Sequence, residues 1–162
     1  MASAALIAAL YAALTLFLAP LSFGMIQIRV SEALTILPAV YPPAILGLSL
    51  GCFLSNVMGF VLGANPLGLI DAVVGTSATF LAAILTYYIG KKVKGKALYF
   101  LAPIPPVIVN AVFIGIEMSI LFLSDTSLKG IFLCCIYVLL GQLIPCFLGG
   151  GLLLKTAKKI IK

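Results

Sequence analysis

Long stretches without a charged residue dominate this sequence and limit the folds that it can adopt. The runs 2–28, 33–70, 72–90, 97–116 and 130–154 contain no acidic or basic side chain. A helix needs about 20 apolar residues to cross the hydrocarbon core of a bilayer. Lipid accepts only helices or closed barrels, because no water is present there to satisfy backbone groups. The runs lack the alternating polar pattern of barrel strands, so we predict membrane helices.

The composition agrees with this interpretation and excludes several classes of protein. Hydrophobic residues make up 64% of the chain and charged residues 9%, whereas soluble domains are about 45–50% apolar and about 25% charged. A soluble chain of this size could neither hide so much apolar surface nor cover it with charge. A soluble enzyme, a disordered tail and a water-facing β domain are therefore excluded.

Prolines divide the longest uncharged run into two helices. Pro38, Pro42 and Pro43 lie close together, and proline removes a backbone donor and disfavours helix in the residue before it. We therefore predict one integral membrane domain over residues 1–162, an all-α bundle of six transmembrane helices. The second helix is short, so we expect it to be tilted or partly inserted. The predicted helices cover about residues 3–19, 27–38, 43–59, 67–90, 97–123 and 127–156.

Two lysine clusters predict the orientation in the membrane. Four lysines lie within residues 91–96 and four within residues 155–162. Lysine-rich short loops stay in the cytoplasm, so a six-helix topology places both termini there, in a multi-pass protein of the cell membrane. The net charge of +6 then reflects insertion and contact with anionic lipid. It does not indicate nucleic-acid binding.

Alanines recur every four residues in the first predicted helix and form two stripes. Residues four apart share a helix face, and small residues let another helix approach closely, which drives association in lipid. The stripes would serve either as a seam inside the bundle or as a contact with a partner protein. The first stripe is Ala4, Ala8 and Ala12, and the second is Ala5, Ala9 and Ala13.

Arg29 and Glu32 lie in the most polar segment of the chain. They stand three residues apart, so on a helix they share a face and can neutralise each other. Charges in a membrane region usually point into the bundle or a wet cavity. The two side chains therefore form either a structural ion pair or part of a solute-binding site.

Asp71 and Glu117 are isolated carboxylates within predicted helices. Asp71 lies one turn inside its helix, where a contact with the helix dipole or a functional role would explain it. Glu117 must pair, protonate or meet a polar ligand. Asn110 lies on the same helix face, and Lys129 is an alternative partner for the Glu117 carboxylate.

The chain contains no histidine, which excludes several kinds of catalytic and metal-binding site. Without it the chain cannot form an HExxH zinc site or a Ser-His or Cys-His catalytic pair. The four cysteines, none in a CxxC pair, are expected to be small buried hydrophobes, so we predict no metal and no cofactor. No GxxxxGK[ST] phosphate loop occurs in the sequence. ATP hydrolysis would therefore belong to other subunits.

Several segments together resemble the QueT family, the substrate-binding (S) components of energy-coupling factor transporters assigned to queuosine-precursor uptake. The most specific segment runs from Gln27 to Pro38 and reads QIRVSEALTILP. The likeness covers essentially the whole chain, with looser matches in the last two helices. Its other parts are Phe23-Gly24, GLSLGCFLSN at 47–56, PLGLID at 66–71 and GTSATFLAA at 75–83.

This resemblance implies a function that the composition could not give. An S component is a six-helix membrane protein that captures a scarce solute outside the cell. It works with a membrane T component and two cytoplasmic ATPases, and its alanine-rich first helix meets the T component. The implied solute is a 7-deazaguanine such as a prequeuosine base or queuine. The chain itself would not be an enzyme.

The polar residues suit such a ligand. A carboxylate accepts the two adjacent N–H donors of a guanine-like edge, and its charge strengthens both hydrogen bonds. The side-chain amides of asparagine and glutamine can hydrogen-bond to the carbonyl and pyrrole edges of the base, and an aromatic ring can stack on it. Glu117 or Asp71 would take the donor edge, and the alternative role for Arg29 is a lid anchor held by Glu32. The amide candidates are Gln27, Asn56 and Asn110, and the stacking candidates are Phe23, Tyr11 and Phe113.

Three other functions remain open from the sequence. The chain could be an S component for a different water-soluble vitamin. It could also be an integral membrane enzyme that uses Glu32, Asp71 and Glu117, although carboxylates without histidine make a poor transition-metal site. The third alternative is a passive channel or structural oligomer.

Overall fold

The computed structural model describes residues 2–160, and every regular element within that range is a helix. Eight are α-helices, one is a 3₁₀ helix and two are π-helical segments. The α-helices are α1 (Ala2–Phe17), α2 (Ala19–Ser22), α3 (Ala44–Val61), α4 (Gly68–Lys92), α5 (Ala97–Leu101), α6 (Ile104–Glu117), α7 (Leu128–Leu143) and α8 (Gly150–Ile160). The 3₁₀ helix is Val30–Ala39, and the π segments are Met118–Phe122 and Ile144–Gly149.

The all-helical fold is confirmed, and helical segments occur at all six predicted places. The fifth is assembled from α5, α6 and the first π segment, and the sixth from α7, the second π segment and α8. The second, expected to be short, is a 3₁₀ helix. Two local features oppose an α-helix there: the Pro38 ring would clash with the carbonyl four residues earlier, and the Thr35 hydroxyl donates to the Glu32 carbonyl at 2.6 Å.

Four helical stretches are long and apolar enough to cross a membrane. The first helix and the 3₁₀ helix are apolar but shorter, with 16 and 10 residues. At about 2.0 Å per residue, the 3₁₀ helix is shorter than the roughly 30 Å hydrocarbon core. Six crossings and cytoplasmic termini therefore stay predictions. The four stretches are Ala44–Val61, Gly68–Lys92, Ala97–Phe122 and Leu128–Lys159.

The two lysine clusters come together at one end of the bundle, called here the lysine end. Lys91, Lys94 and Lys158 line the same surface depression, together with Pro42. The Tyr41 hydroxyl, next to Pro42, donates to Ser3 Oγ at 2.6 Å, so α1 also begins there. Lys162, the last lysine of the second cluster, lies outside the described residues.

The opposite end, called the far end, is formed by the connections between helices. Phe23 and Leu67, from two connecting segments, line one small pocket there with Phe122, the last residue of the first π segment. Successive helical segments thus run between the lysine end and the far end. This alternation is compatible with the predicted six-helix topology.

Helices α1 and α3 pack closely because small residues face each other. A Cβ atom on Gly51 would lie 2.8 Å from Tyr11 Cβ and 2.9 Å from the Ala8 carbonyl oxygen. One turn earlier, a Cβ on Gly47 would lie 2.7 Å from the Ala4 carbonyl oxygen. The first alanine stripe therefore contributes to a seam inside the bundle.

A Gly51→Ala substitution is expected to lower the melting temperature in detergent, because the new methyl group must push α1 away from α3. Overpacking of this kind usually costs about 1–3 kcal/mol. The matched control is Gly151→Ala in α8, where a Cβ would meet no atom within 4 Å. Alanine should be neutral or stabilising there. Equal melting temperatures for the two variants would contradict the close packing of this seam.

Candidate functional site

Polar side chains gather inside the bundle, among helices that are otherwise apolar. Each of the main members is at most 5% exposed. Polar and charged groups in such surroundings are expensive unless they are paired, and they usually mark a functional site. The cluster consists of Tyr11, Arg29, Glu32, Asn56, Asn65, Asp71, Asn110 and Glu117.

Arg29 is held by Asp71 rather than by Glu32. Arg29 Nη2 lies 3.1 Å from Asp71 Oδ2, and Arg29 Nε donates to the Ser22 carbonyl at 3.1 Å. Arg29 precedes the 3₁₀ helix and has extended backbone angles. Its side chain therefore does not follow that helix's face, which is why the pairing expected from helical spacing does not form. The guanidinium carbon also lies 5.2 Å from the centre of the Phe23 ring.

Glu32 is bound by protein donors on both carboxylate oxygens. The Tyr11 hydroxyl donates to Oε1, and Asn110 Nδ2 donates to Oε2 at 3.2 Å. These two donors come from α1 and α6. Glu32 therefore joins the 3₁₀ helix to two helices that are distant in the sequence.

Asn56 and Asp71 approach each other beside Gly75. Asn56 Nδ2 donates to the Asp71 main-chain carbonyl at 2.9 Å. A Cβ on Gly75 would lie 2.8 Å from both Asn56 Nδ2 and Asp71 Oδ1, so glycine leaves the space that these atoms need. Asn56 Oδ1 and Asp71 Oδ1 are buried acceptors with no hydrogen-bond partner among the described residues. The site thus presents acceptor atoms without matching donors.

Glu117 has no partner for either carboxylate oxygen within residues 2–160. It is only 5% exposed, whereas Lys129, the alternative partner, is exposed and forms no ion pair with it in that range. Glu117 ends α6, and the first π segment starts at the next residue. Such segments occur frequently at functional sites. A buried carboxylate without a partner requires a proton, water or a ligand donor.

A groove between α4 and α6 has Glu117 in its lining, while both carboxylate oxygens of Glu117 are buried. Its volume is about 390 Å³, and its walls are otherwise apolar. Phe113, one of the predicted stacking residues, lines the groove beside Glu117. The remaining lining residues are Ile70, Val74, Val112, Ile116, Ile120 and Leu121.

At the far end the connecting segments are packed closely together. The pocket lined by Phe23 and Gln27 has a volume of about 10 Å³, roughly the space of one water molecule. Gln27 is buried and has a positive φ of 48°, in the left-handed region. The main-chain carbonyl of the preceding residue, Ile26, lies against Gly141 of α7, and a Cβ atom on Gly141 would overlap that carbonyl. Access for a base from this side would require these segments to move.

The structure brings most predicted site residues together, but in several separate local contacts. Arg29 lies with Asp71 and Phe23. Glu32 lies with Asn110, and Asn56 with the Asp71 main chain. Glu117 lines the groove between α4 and α6, and Gln27 lines the far-end pocket.

Two members of the cluster were not assigned these roles from the sequence. Asn65 Nδ2 donates to Asp71 Oδ2 at 2.7 Å, while its Oδ1 accepts the Leu67 amide at 3.1 Å. The Asn-Pro sequence signals such a turn, but not the contact with Asp71. Tyr11 was considered only for stacking, and its hydroxyl instead binds Glu32.

The two alanine stripes of α1 have different surroundings. In the first stripe Ala8 is buried, and Ala4 and Ala12 are half-buried. In the second stripe Ala5, Ala9 and Ala13 are all exposed. The second stripe thus leaves a flat surface of small residues open to a partner or to lipid.

Comparison with known proteins identifies a family. A family model described as QueT transporter matches residues 1–159. No curated protein and no solved structure matches the chain.

Proposed function

The chain belongs to the QueT transporter family, and from that membership we propose that it is the substrate-capture (S) component of an energy-coupling factor importer. Its solute would be a 7-deazaguanine precursor of queuosine. The family is one of transporters and not of enzymes, and four long apolar helices agree with a membrane location. The coupling to ATP and the identity of the solute are the parts that we propose.

The observation that carries this proposal is a set of buried acceptor atoms without donors. Both oxygens of Glu117, Asp71 Oδ1 and Asn56 Oδ1 have no partner among the described residues. A deazaguanine carries a ring N–H next to an exocyclic amine, and a carboxylate can accept both donors at once. Such charge-assisted, bidentate hydrogen bonds are among the strongest in proteins. We therefore assign the donor edge of the base to Glu117, with Asp71 as the second candidate.

Other predicted residues receive roles that follow from their contacts. Phe113 lines the groove beside Glu117 and is suited to stack on the base. Phe23 and Gln27 lie in the far-end pocket and would close over the solute. Arg29 and Glu32 already have protein partners, so we assign them to positioning Asp71 and Asn110.

A binding titration of the purified chain, without partner subunits, tests the proposed function. We expect saturable binding of prequeuosine base or queuine, and at least about tenfold weaker binding of riboflavin and thiamine, which lack the guanine-like edge. Indifference to every deazaguanine would overturn the proposed solute. Binding of another vitamin alone would support the alternative S component.

Two further measurements separate the proposal from the other classes of function. Flux of a deazaguanine into liposomes that contain this chain alone would indicate a passive channel. Chemical turnover of the solute without an ATPase would indicate an enzyme. The proposal expects neither, because the T component and the two cytoplasmic ATPases would supply the work.

We assign the contact with the T component to the exposed alanine stripe of α1. Ala5, Ala9 and Ala13 present small side chains along one face, and small residues allow close helix–helix approach in lipid. The other stripe contacts α3 through Ala8 and Gly51. Only the exposed stripe is therefore free to meet another subunit without disturbing the bundle.

Ala9→Leu is expected to preserve solute binding by the isolated chain but to reduce ATP-driven uptake at least about tenfold, since a steric clash of 1.4 kcal/mol already corresponds to that factor. Uptake would be measured in proteoliposomes that contain the partner subunits. Ser77→Leu, on an exposed position of α4, is the control and should retain uptake. Full uptake by Ala9→Leu would remove the stripe from the proposed interface.

A further inference from the structure

Lysines from two distant parts of the chain converge on one depression at the lysine end. The depression has a volume of about 400 Å³ and is lined by Lys91 in the last turn of α4, by Lys94 just after that helix, and by Lys158 of α8. Part of its surface is apolar, with Val40 and Leu98 among the lining residues. This feature has no role in the proposed capture of solute.

Local contacts hold these lysines around the depression. The Lys91 ammonium lies 4.6 Å from the centre of the Tyr87 ring, and the Lys158 ammonium lies 4.7 Å from that of Tyr99. Lys94 Nζ donates to the Gly90 carbonyl at 3.5 Å. Cation–π contacts of this kind favour a fixed position of the ammonium over the ring face.

The wall of the depression is formed by a direct backbone contact. Gly90 of α4 lies against Ala39 at the end of the 3₁₀ helix, and a Cβ on Gly90 would overlap the Ala39 backbone. Both residues line the depression. A close backbone contact leaves little freedom for this wall to change shape.

The positive charge at this end has no acidic counterpart among the described residues. Glu32, Asp71 and Glu117 belong to the buried cluster, and Asp125 lies in the connection between the first π segment and α7, at the far end. These four residues are all the acids in the chain. Four more lysines lie close in the sequence to the three lysines that line the depression: Lys92, Lys96, Lys155 and Lys159.

We propose that this depression binds the phosphate group of an anionic phospholipid. It lies at the ends of helices that are long enough to cross a membrane, and hence at the level of the headgroups. Basic pockets between transmembrane helices bind anionic headgroups by charge, and the apolar part of the lining suits the glycerol region. The proposal requires membrane insertion but is independent of the solute.

Lipid retention by the full chain tests this inference. Delipidated protein in detergent would be incubated with equal amounts of phosphatidylglycerol and phosphatidylcholine of the same acyl chains, re-purified, and analysed by lipid mass spectrometry. We expect at least about fivefold enrichment of phosphatidylglycerol. A Lys94→Gln/Lys158→Gln variant should bind the two lipids equally. Equal retention by the wild-type chain would overturn the proposal.

The matched control removes the same charge from the same end but outside the depression. Lys92→Gln/Lys159→Gln should keep the enrichment, since neither side chain lines the depression. Lys94→Arg/Lys158→Arg should also keep it, because the charge remains. Loss of enrichment in the Lys92/Lys159 control would show that charge density alone attracts the lipid, and would overturn the site.

Two competitors distinguish the lipid from other anions. Inorganic phosphate at about tenfold excess over the lipid, and a polyglutamate peptide at the same excess, should each leave the retained phosphatidylglycerol unchanged. Displacement by phosphate would show a site for the free anion. Displacement by the peptide would show a docking surface for an acidic protein segment. Either displacement would overturn the assignment to lipid.

Discussion

Replacing Arg29 with methionine is expected to lower the free energy of unfolding by about 3–5 kcal/mol, the usual effect of removing one member of a buried ion pair. Arg29 is 3% exposed and Asp71 is fully buried, and their charged atoms lie 3.1 Å apart. Without the guanidinium, Asp71 would remain an uncompensated carboxylate inside an apolar bundle. The loss of stability is measured as a lower melting temperature: the protein is heated in detergent, and size-exclusion chromatography determines the fraction that stays folded.

A double variant separates this explanation from a general effect of substituting Arg29. Arg29→Met/Asp71→Leu removes both charges and should recover most of the lost stability, since apolar replacement of a buried pair is often neutral or stabilising. Lys129→Met, at an exposed position, should leave the melting temperature unchanged. An Arg29→Met protein as stable as the wild type would contradict the structural role of the pair.

Replacing Glu117 with glutamine is expected to weaken 7-deazaguanine binding about 10- to 100-fold. A hydrogen bond to a charged group contributes about 1.5–3 kcal/mol, and glutamine of similar shape offers one acceptor oxygen in place of two. Because both Glu117 oxygens lack a protein partner within the described residues, the fold should not depend on the charge. The melting temperature without solute should therefore stay the same or rise.

Asp125→Asn is the matched control for this charge change. Asp125 lies outside the spanning helices, and the hydrogen bond from the Ser127 amide, 2.8 Å long, holds the pKa of its carboxyl below the ordinary value. The carboxyl is therefore ionised at neutral pH, and asparagine can still accept the Ser127 bond. This variant should bind deazaguanine as the wild type does. An equal loss of affinity in both variants would show that Glu117 acts only through net charge.

The helical architecture could be predicted because charge and proline placement mark the ends of apolar runs. Pro42 and Pro43 separate the second and third segments as predicted, whereas Pro38 lies inside the 3₁₀ helix and not in the turn. The type of helix was not predictable in the same way. A helix that is apolar on all sides has little periodicity, so the sequence pattern cannot distinguish the 3₁₀ helix or the two π segments from α-helix.

The charged members of the buried cluster could be predicted, but their hydrogen-bond and ion-pair partners could not. Charged residues within apolar runs stand out in any membrane sequence, which is how Arg29, Asp71 and Glu117 were found. Their partners depend on how distant helices pack: 42 residues separate Arg29 from Asp71, and 78 separate Glu32 from Asn110. Spacing along one helix could not give either contact.

The alanine stripes are a second case in which spacing in the sequence does not identify the residues that make a contact. In the sequence the two stripes are equivalent, because both repeat every four residues. They differ in the structure because Gly47 and Gly51 of α3 lie against Ala4 and Ala8 of one stripe. The partner surface is therefore a property of the neighbouring helix as much as of α1.

In the proposed function, a polar solute supplies the donors that the buried acceptors lack. An experimental structure of the chain with bound prequeuosine base tests it most directly. We expect the ring N–H and exocyclic amine of the base within about 3.2 Å of the Glu117 carboxylate oxygens, or of Asp71 as the second candidate. A base bound elsewhere, with Glu117 and Asp71 Oδ1 still without donors, would contradict it.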